Sequence, residues 1–183
     1  MIEVEVKGYA DEEVFKRVRE NFQLIRREYH EDTYYQHPCR DFSKTDEALR
    51  IRIRRFNGHF EAFLTYKGPK IDSLSKTREE IEVPIEDPDA HARILEALGF
   101  TEVLTVEKVR EKYYVEKGIT LTLDEVEGLG KFVEIEAMTE DREKVPELVE
   151  KLRSMLHELG VKKLERKSYL ELLIEREGIH EKA

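Results

Sequence analysis

The 183-residue sequence has little of what stabilises secreted proteins or anchors membrane proteins. Cys39 is its one cysteine, which excludes an internal disulfide framework and a cysteine-based zinc site. No stretch approaches the roughly 18 apolar residues that a membrane-spanning helix requires. Glu3, Glu5 and Lys7 interrupt any apolar run at the N-terminus, so no signal peptide is predicted. We therefore expect a soluble, cytoplasmic protein without a membrane partner.

Amide side chains are also scarce, with two asparagines and two glutamines, whereas 40% of the residues are charged. This composition is typical of heat-adapted proteins, and we predict a thermophilic source. The 32 basic and 41 acidic residues give a net charge of −9. An acidic chain is a poor general binder of nucleic acid, because phosphate affinity comes from clustered lysine and arginine, so no nucleic-acid partner is expected. The length predicts one domain over residues 1–183.

The dominant pattern has period two, which predicts β-strands. Apolar and charged residues alternate in M-I-E-V-E-V-K at the N-terminus and again in L-R-I-R-I-R at 49–54. The full set of predicted strands is 1–7, 28–36, 49–54, 60–67, 77–85, 103–116, 119–125 and 131–137. Asn57-Gly58 is typical of a tight hairpin turn. Eight strands joined mostly by short turns predict an antiparallel sheet or barrel.

Four amphipathic helices interrupt the strands. They are predicted from Asp11 to residue 21, from Asp87-Pro88 to Gly99, from near Pro146 to Gly160, and over 168–176. A mobile loop is predicted over 68–76. The order strand, helix, long strand occurs at 2–36 and again at 78–116, and a hairpin follows each time. This weak repeat predicts a pseudo-symmetric barrel of two similar halves.

The charged face of the strands allows two interpretations. On an ordinary half-buried sheet it meets water, and the alternation alone favours that. The four helices need an apolar surface, however, and if they cover the apolar face of a closed sheet, the charged face lines the interior. An eight-stranded barrel is wide enough for one small ligand. An interior rich in charge must hold water, ions or a charged ligand, because unpaired buried charge is costly.

The predicted interior combines two kinds of charge. Its bases suit a polyanion, since arginine makes forked contacts to phosphate oxygens; they are Lys7, Arg50, Arg52, Lys67, Arg78, Lys108 and Arg110. Its acids suit a hard divalent cation such as Mg²⁺ or Mn²⁺; they are Glu3, Glu5, Asp124, Glu134 and Glu136. Together they describe a metal–polyphosphate site. The six histidines show no metal-ligand spacing and are predicted to be surface or packing residues.

An ordered series of motifs resembles the CYTH superfamily, the triphosphate tunnel metalloenzymes, over almost the whole chain. The motifs are E-V-E-V-K at 3–7, L-R-I-R at 49–52, L-T-Y-K-G-P at 64–69, R-E-E-I-E at 78–82, E-K-V-R at 107–110, L-D-E-V-E-G-L-G-K-F-V-E-I-E at 123–136 and S-Y-L-E-L-L at 168–173. E-x-E-x-K alone is a weak signal in a chain this rich in Glu and Lys, whereas the ordered set is specific. The resemblance implies an α+β fold: an eight-stranded antiparallel tunnel with a charged lumen, helices outside, and a triphosphate bound inside.

The resemblance also implies roles for individual residues. Glu3 and Glu5 match metal-binding positions, as do Glu134 and Glu136, with Asp124 in the neighbouring acidic position. Lys7 and the other matched bases take the phosphates; these bases are Arg50, Arg52, Lys67, Lys108 and Arg110. Three of them, Lys7, Lys108 and Arg110, are the candidates for stabilising charge in the reaction. Glu80 and Glu82 match a second acidic pair that binds metal or orients the bases.

The segment 123–136 is most similar to the class IV adenylyl cyclase and thiamine-triphosphatase branches. The resemblance therefore implies an adenylyl cyclase that uses Mg²⁺ or Mn²⁺, and a homodimer is compatible with that branch. A triphosphatase acting on tripolyphosphate, thiamine triphosphate or a nucleotide remains the alternative, and a non-catalytic polyphosphate-binding module is a third. The sequence has no base-reading motif, because Phe42, Phe56 and Tyr66 are equally well explained by packing.

Overall fold

A computed structural model describes residues 1–71 and 73–178, which form a closed barrel of eight antiparallel strands. The strands are β1 (Ile2–Tyr9), β2 (Gln23–Gln36), β3 (Ala48–Phe56), β4 (His59–Lys67), β5 (Arg78–Ile85), β6 (Thr101–Glu116), β7 (Ile119–Val126) and β8 (Gly130–Thr139). Around the barrel their order is β1-β5-β4-β3-β2-β6-β7-β8. All eight predicted strands are present. Asn57 and Gly58 both have positive φ in the β3–β4 turn, as a tight hairpin requires.

The helices are α1 (Glu12–Asn21), α2 (Phe42–Thr45), α3 (Pro88–Ala97), α4 (Val145–Glu158) and α5 (Tyr169–Glu177). A 3₁₀ turn (Arg142–Lys144) precedes α4. Side chains cap three of the four predicted helices: Asp11 caps α1, Asp87 caps α3, and Ser168 caps α5 in a capping box with Glu171. The sequence did not predict α2, whose single turn is too short to show periodicity. None of the helices in the described part of the chain is long and apolar enough to span a membrane.

The main hydrophobic core lies outside the barrel wall. Val4 and Val6 of β1 pack with apolar residues of β7 and β8 against α1 and α4. From α4 come Leu152 and Leu156, which are fully buried. Because the strands alternate, this packing turns their charged side chains into the lumen. The structure therefore confirms the second interpretation of the charged face.

The two predicted halves exchange their first strands. Around the closed barrel β1 pairs with β5 and β8, and β5 pairs with β1 and β4, so each of these strands pairs with strands of the other half. The strand order is unchanged when β1–β4 are exchanged with β5–β8, which agrees with the predicted repeat. The β2–β6 ladder has twelve residue pairs, from Gln23–Tyr114 to Gln36–Thr101, whereas the β1–β5 ladder has two.

The predicted loop after β4 folds onto the barrel. Gly68 N donates to Glu79 O, and Lys76 N donates to the carbonyl of Glu5 at 3.0 Å. This second bond directs the Lys76 side chain towards carboxylates of the lumen. The mobility of the loop stays a prediction.

Candidate active site in the barrel lumen

A cavity of about 790 Å³ occupies the barrel interior. Charged side chains of β1–β6 and β8 line it, together with Lys76 from the loop and residues of α2 and α5 at one end. The volume is within the range of small-molecule sites, but the wall carries far more charge than such sites usually do. A wall of this kind suits a small, highly charged ligand.

Two arginines of the lumen are held by aspartates on neighbouring strands. Arg52 of β3 donates to both oxygens of Asp32 on β2, at 2.6 and 2.7 Å. Arg110 of β6 likewise donates to both oxygens of Asp124 on β7, and its Nη2 also reaches Glu134 at 2.6 Å. These contacts raise the pKa of Arg110 despite its burial, so the guanidinium is permanently charged.

The lysines divide into two groups. Lys67 lies between Glu3 at 3.2 Å and Glu80 at 2.8 Å, and its pKa is raised by these carboxylates against the effect of burial. Burial and nearby cations instead lower the pKa of Lys7 and of Lys108 to about 7. For Lys7 the opposing cation is Lys76, and for Lys108 it is Arg110. The last two lysines therefore change charge near neutral pH.

Three of the five predicted metal-binding acids come together. Carboxylate oxygens of Glu3, Glu5 and Glu136 lie within 4.8 Å of one another, which fits a hard cation with oxygen ligands. Burial, with the neighbouring Glu80 and Glu5, raises the pKa of Glu3 well above its ordinary value although Lys67 opposes this. Burial and Glu134 work against ionisation of Glu5, but Lys76 and Lys67 outweigh them and lower its pKa to about 2.

The other two predicted acids lie on bases instead. Glu134 accepts from Arg110 and from Lys76, the latter at 3.3 Å. Asp124 is bound by Arg110 and by the Tyr169 hydroxyl at 2.7 Å, and it is fully buried behind the cavity wall.

Lys7 also lies behind the wall. Its ammonium donates to the carbonyl of Lys167 and lies 4.1 Å from the centre of the Tyr169 ring.

The remaining predicted residues lie at the cavity wall. Arg50 is 3.8 Å from Asp32 and 3.9 Å from Glu82, and Arg78 donates to the Gly68 carbonyl at 3.4 Å. The Nε atoms of Arg50 and Arg54 are buried without a hydrogen-bond partner among the described residues. A buried donor without a partner is costly, so these atoms are suited to an anion entering the lumen.

Sequence reasoning missed several residues of the site. Lys76 was missed because it lies in a loop, where alternation gives no signal. On β2, Glu28, His30 and Asp32 point inward at every second position, a pattern that could have been found in E-Y-H-E-D.

The prediction of surface or packing histidines is too simple for His30. Its side chain lines the cavity, and Nε2 bonds to Glu28. Its Nδ1 has no hydrogen-bond partner among the described residues. Burial and the cations Arg52, Lys108 and Arg110 lower the pKa of His30 strongly.

Of the aromatic residues considered as base-binding candidates, Phe42 alone lines the cavity. Phe56 lies under the guanidinium of Arg26, with the ring centre 3.8 Å from Cζ. The Tyr66 hydroxyl donates to Glu47 at 2.6 Å. Packing and hydrogen bonding therefore account for Phe56 and Tyr66.

Comparison with known proteins agrees with this architecture. The CYTH domain matches residues 1–169. A protein of Methanocaldococcus jannaschii described as a "putative adenylate cyclase" is 45% identical over 177 residues, covering 94% of this chain and 98% of that protein. The adenylate cyclase CyaB of Aeromonas hydrophila is 30% identical over 141 residues, which are 76% of this chain and 69% of that one. The solved structure of the PH1819 protein from Pyrococcus horikoshii superposes with a TM-score of 0.94 at 68% identity, covering 95% of this chain and 99% of that chain. The chain belongs to the CYTH family.

Proposed function

We propose that the lumen binds the phosphate chain of ATP with Mg²⁺ or Mn²⁺, and that the protein is a class IV type adenylyl cyclase forming cyclic AMP and pyrophosphate. The observation that carries the proposal is the convergence of arginines and lysines from several strands on one cavity, beside a cluster of three carboxylates. Binding a polyanion alone requires no carboxylates, so this combination favours a metal–triphosphate complex over a simple anion.

Different bases would bind different parts of the phosphate chain. Arg50 and Arg52 offer guanidinium N–H groups from β3, Lys67 an ammonium from β4, and Arg78 a guanidinium from β5. Lys108 and Arg110 line the same cavity from β6. Arginine suits this task because its planar fork matches two phosphate oxygens. Lys76 adds a cation that the sequence did not predict.

Glu3, Glu5 and Glu136 would hold the divalent cation, whose chemistry is to neutralise phosphate charge and to polarise a phosphoryl oxygen. The fit rests on their grouped oxygens. Because burial and neighbouring carboxylates raise the pKa of Glu3, a cation at this position would relieve an unfavourable charge arrangement. Glu80 and Glu82 orient bases in this proposal, since Glu80 contacts Lys67 and Glu82 lies near Arg50.

In the cyclase reaction the ribose 3′-oxygen attacks the α-phosphorus and forms the new P–O bond, and its proton ends on the pyrophosphate that leaves. The bond from the α-phosphorus to the oxygen shared with the β-phosphorus breaks, and pyrophosphate leaves with the electron pair. Lys108 and Arg110 would stabilise the charge that develops on pyrophosphate, because both are buried where electrostatic interactions are strong. Lys7, whose ammonium lies against the Tyr169 ring, would add positive charge from behind the cavity wall.

A triphosphatase is the second candidate. Water would then attack the terminal phosphorus, and the same bases would stabilise the leaving diphosphate. What favours it is that the charged lumen suits a phosphate chain, while of the three base-binding candidates named from the sequence only Phe42 lines the cavity. The names of the two curated relatives favour the cyclase.

The deciding experiment incubates the protein with Mg²⁺ or Mn²⁺ and either ATP or tripolyphosphate, and identifies the products by chromatography. Cyclic AMP with pyrophosphate is expected. Orthophosphate from tripolyphosphate, with no cyclic product from ATP, would instead establish the triphosphatase. Tight binding of tripolyphosphate, with no turnover in the presence of Mg²⁺ or Mn²⁺, would indicate a non-catalytic binding module.

A further inference from the structure

Two arginine–aspartate pairs occupy equivalent places in the two halves of the barrel. Asp32 and Arg52 are direct cross-strand partners on β2 and β3, and Arg110 and Asp124 are direct partners on β6 and β7. Exchange of the halves converts the first strand pair into the second, with acid and base interchanged. Each arginine uses Nε and Nη2 to contact both oxygens of its aspartate. The same forked contact is thus built twice around one cavity.

Asp32 lies in unusually positive surroundings. It is 1% exposed, and besides Arg52 it has Lys108 at 3.3 Å and Arg50 at 3.8 Å. Burial opposes its ionisation, but these three cations hold its pKa well below the ordinary value. Asp32 is therefore a fixed negative charge among residues proposed to bind phosphate.

A carboxylate at this position repels a phosphate chain, so its contribution to binding must come from geometry. Arginine has five N–H donors in one plane, and the fork to Asp32 uses two of them. The remaining three N–H groups of Arg52 are left in a fixed orientation at the cavity wall. A donor array that is already oriented loses less conformational freedom when a ligand binds.

We infer that Asp32 is a positioning residue that fixes the Arg52 guanidinium for the phosphate chain, and that Asp124 positions Arg110 in the same way. The inference rests on the proposed function, because it requires a phosphate chain in the lumen. It gives Asp124 a role towards Arg110 in place of the metal-binding role predicted for it from the charged face of the strands.

The test measures binding of tripolyphosphate in the presence of Mg²⁺ by calorimetry. Asp32→Asn removes a negative charge, so its direct electrostatic effect on the phosphate chain would be to strengthen binding. Its amide NH₂ cannot accept from Nη2, and we expect affinity to fall by about tenfold because the guanidinium loses its orientation. Asp32→Glu keeps the charge but displaces the carboxylate, and it is expected to weaken binding in the same direction.

The chain offers a matched control. Arg19 and Glu111 form a similar fork outside the lumen, at 3.0 and 2.9 Å. Glu111→Gln should therefore leave tripolyphosphate affinity unchanged. Unchanged or tighter binding by Asp32→Asn would overturn the inference. If circular dichroism shows that Asp32→Asn does not fold, the affinity of Asp32→Glu for tripolyphosphate is the test. Wild-type affinity in Asp32→Glu would then overturn the inference.

A double-mutant cycle with Arg52→Lys separates positioning from general disruption. If Asp32 acts through Arg52, Asp32→Asn should cost little affinity once Arg52 is already lysine. Equal losses in both backgrounds would refute the inference. Failure of the wild-type protein to bind tripolyphosphate would refute the proposed function as well, whereas wild-type binding with unaffected variants refutes the inference alone.

Discussion

Glu5 of β1 and Glu136 of β8 lie directly opposite each other in the β1–β8 ladder. Like charges at opposed positions destabilise a sheet, and Glu3 lies close to both. Lys76 contacts Glu5, and Lys112 lies 3.5 Å from Glu136, so these lysines offset part of the repulsion in the absence of a metal ion. This relationship leads to a prediction in which activity changes much more than stability.

Glu136→Gln keeps the shape of the side chain but removes one charge from the carboxylate cluster. We expect the stability of the metal-free protein to change by less than about 1 kcal/mol, because relief of the repulsion across the ladder is offset by loss of the charge contact with Lys112. Stabilisation by Mg²⁺ or Mn²⁺ should weaken and turnover should collapse. Thermal denaturation with and without metal, beside a product assay, measures all three. Unchanged activity of this variant at limiting Mg²⁺ would show that Glu136 does not bind the metal.

Lys76→Met should destabilise the fold. Its ammonium contacts Glu5 and Glu134, both buried, and the substitution leaves these carboxylates without this partner. Removing one member of a buried ionic group costs about 3–5 kcal/mol. Lys151→Met, which breaks the half-exposed pair with Glu116, is the control and should change stability by less than about 1 kcal/mol. Urea denaturation compares the two variants, and equal effects would contradict the prediction.

His30 should remain neutral at pH values where ordinary histidines become protonated. Burial and the neighbouring cations lower its pKa in the folded protein, so the unfolded chain binds a proton that the folded chain does not. Its contribution therefore makes stability fall as pH drops below about 6.5. Nuclear magnetic resonance of labelled imidazoles should show no His30 titration between pH 5 and 8. His30→Gln should reduce the loss of stability in acid.

Binding of tripolyphosphate should take up protons near neutral pH. Burial and Arg110 lower the pKa of Lys108 to about 7, and a polyanion beside the ammonium favours its charged form. Affinity should therefore decline as pH rises above 7. Calorimetry in buffers of different ionisation enthalpy counts the protons. Lys108→Arg keeps its charge throughout and should weaken the pH dependence. An identical pH dependence in this variant would contradict the assignment to Lys108.

The melting temperature should exceed the range of about 45–65 °C in which domains of mesophilic proteins cluster. The reason is the large share of charged residues, many of them in connected ion pairs such as Lys76 with Glu5 and Glu134. Differential scanning calorimetry measures the melting temperature, and a value inside that range would contradict the prediction of heat adaptation.

Alternation in the sequence was sufficient to predict the strands and the residues that share a charged face, because side chains of a strand point to opposite sides in turn. The need of the four amphipathic helices for an apolar surface then favoured the interior for that charged face, and Arg52 and Lys67 do line the cavity. The sequence pattern could not show that Asp124 is enclosed by Arg110 and Tyr169, since that contact depends on how α5 packs on the barrel. Alternation could not predict that Lys76 lines the cavity, because a backbone hydrogen bond to β1, and not strand periodicity, directs this loop residue inward.

The unequal lengths of the β1–β5 and β2–β6 ladders predict where the barrel opens most easily. Local opening follows the fewest backbone hydrogen bonds, so the short β1–β5 edge should separate before the long β2–β6 edge. Glu3 and Arg78 are opposed at this short edge, and both line the cavity. A cation held by Glu3 and an anion held by Arg78 would be adjacent across the gap and would hold its sides together. A phosphate ligand and a metal ion in the lumen would therefore restrict local opening of the wall, and when both are added hydrogen exchange should slow most at the amides of β1 and β5.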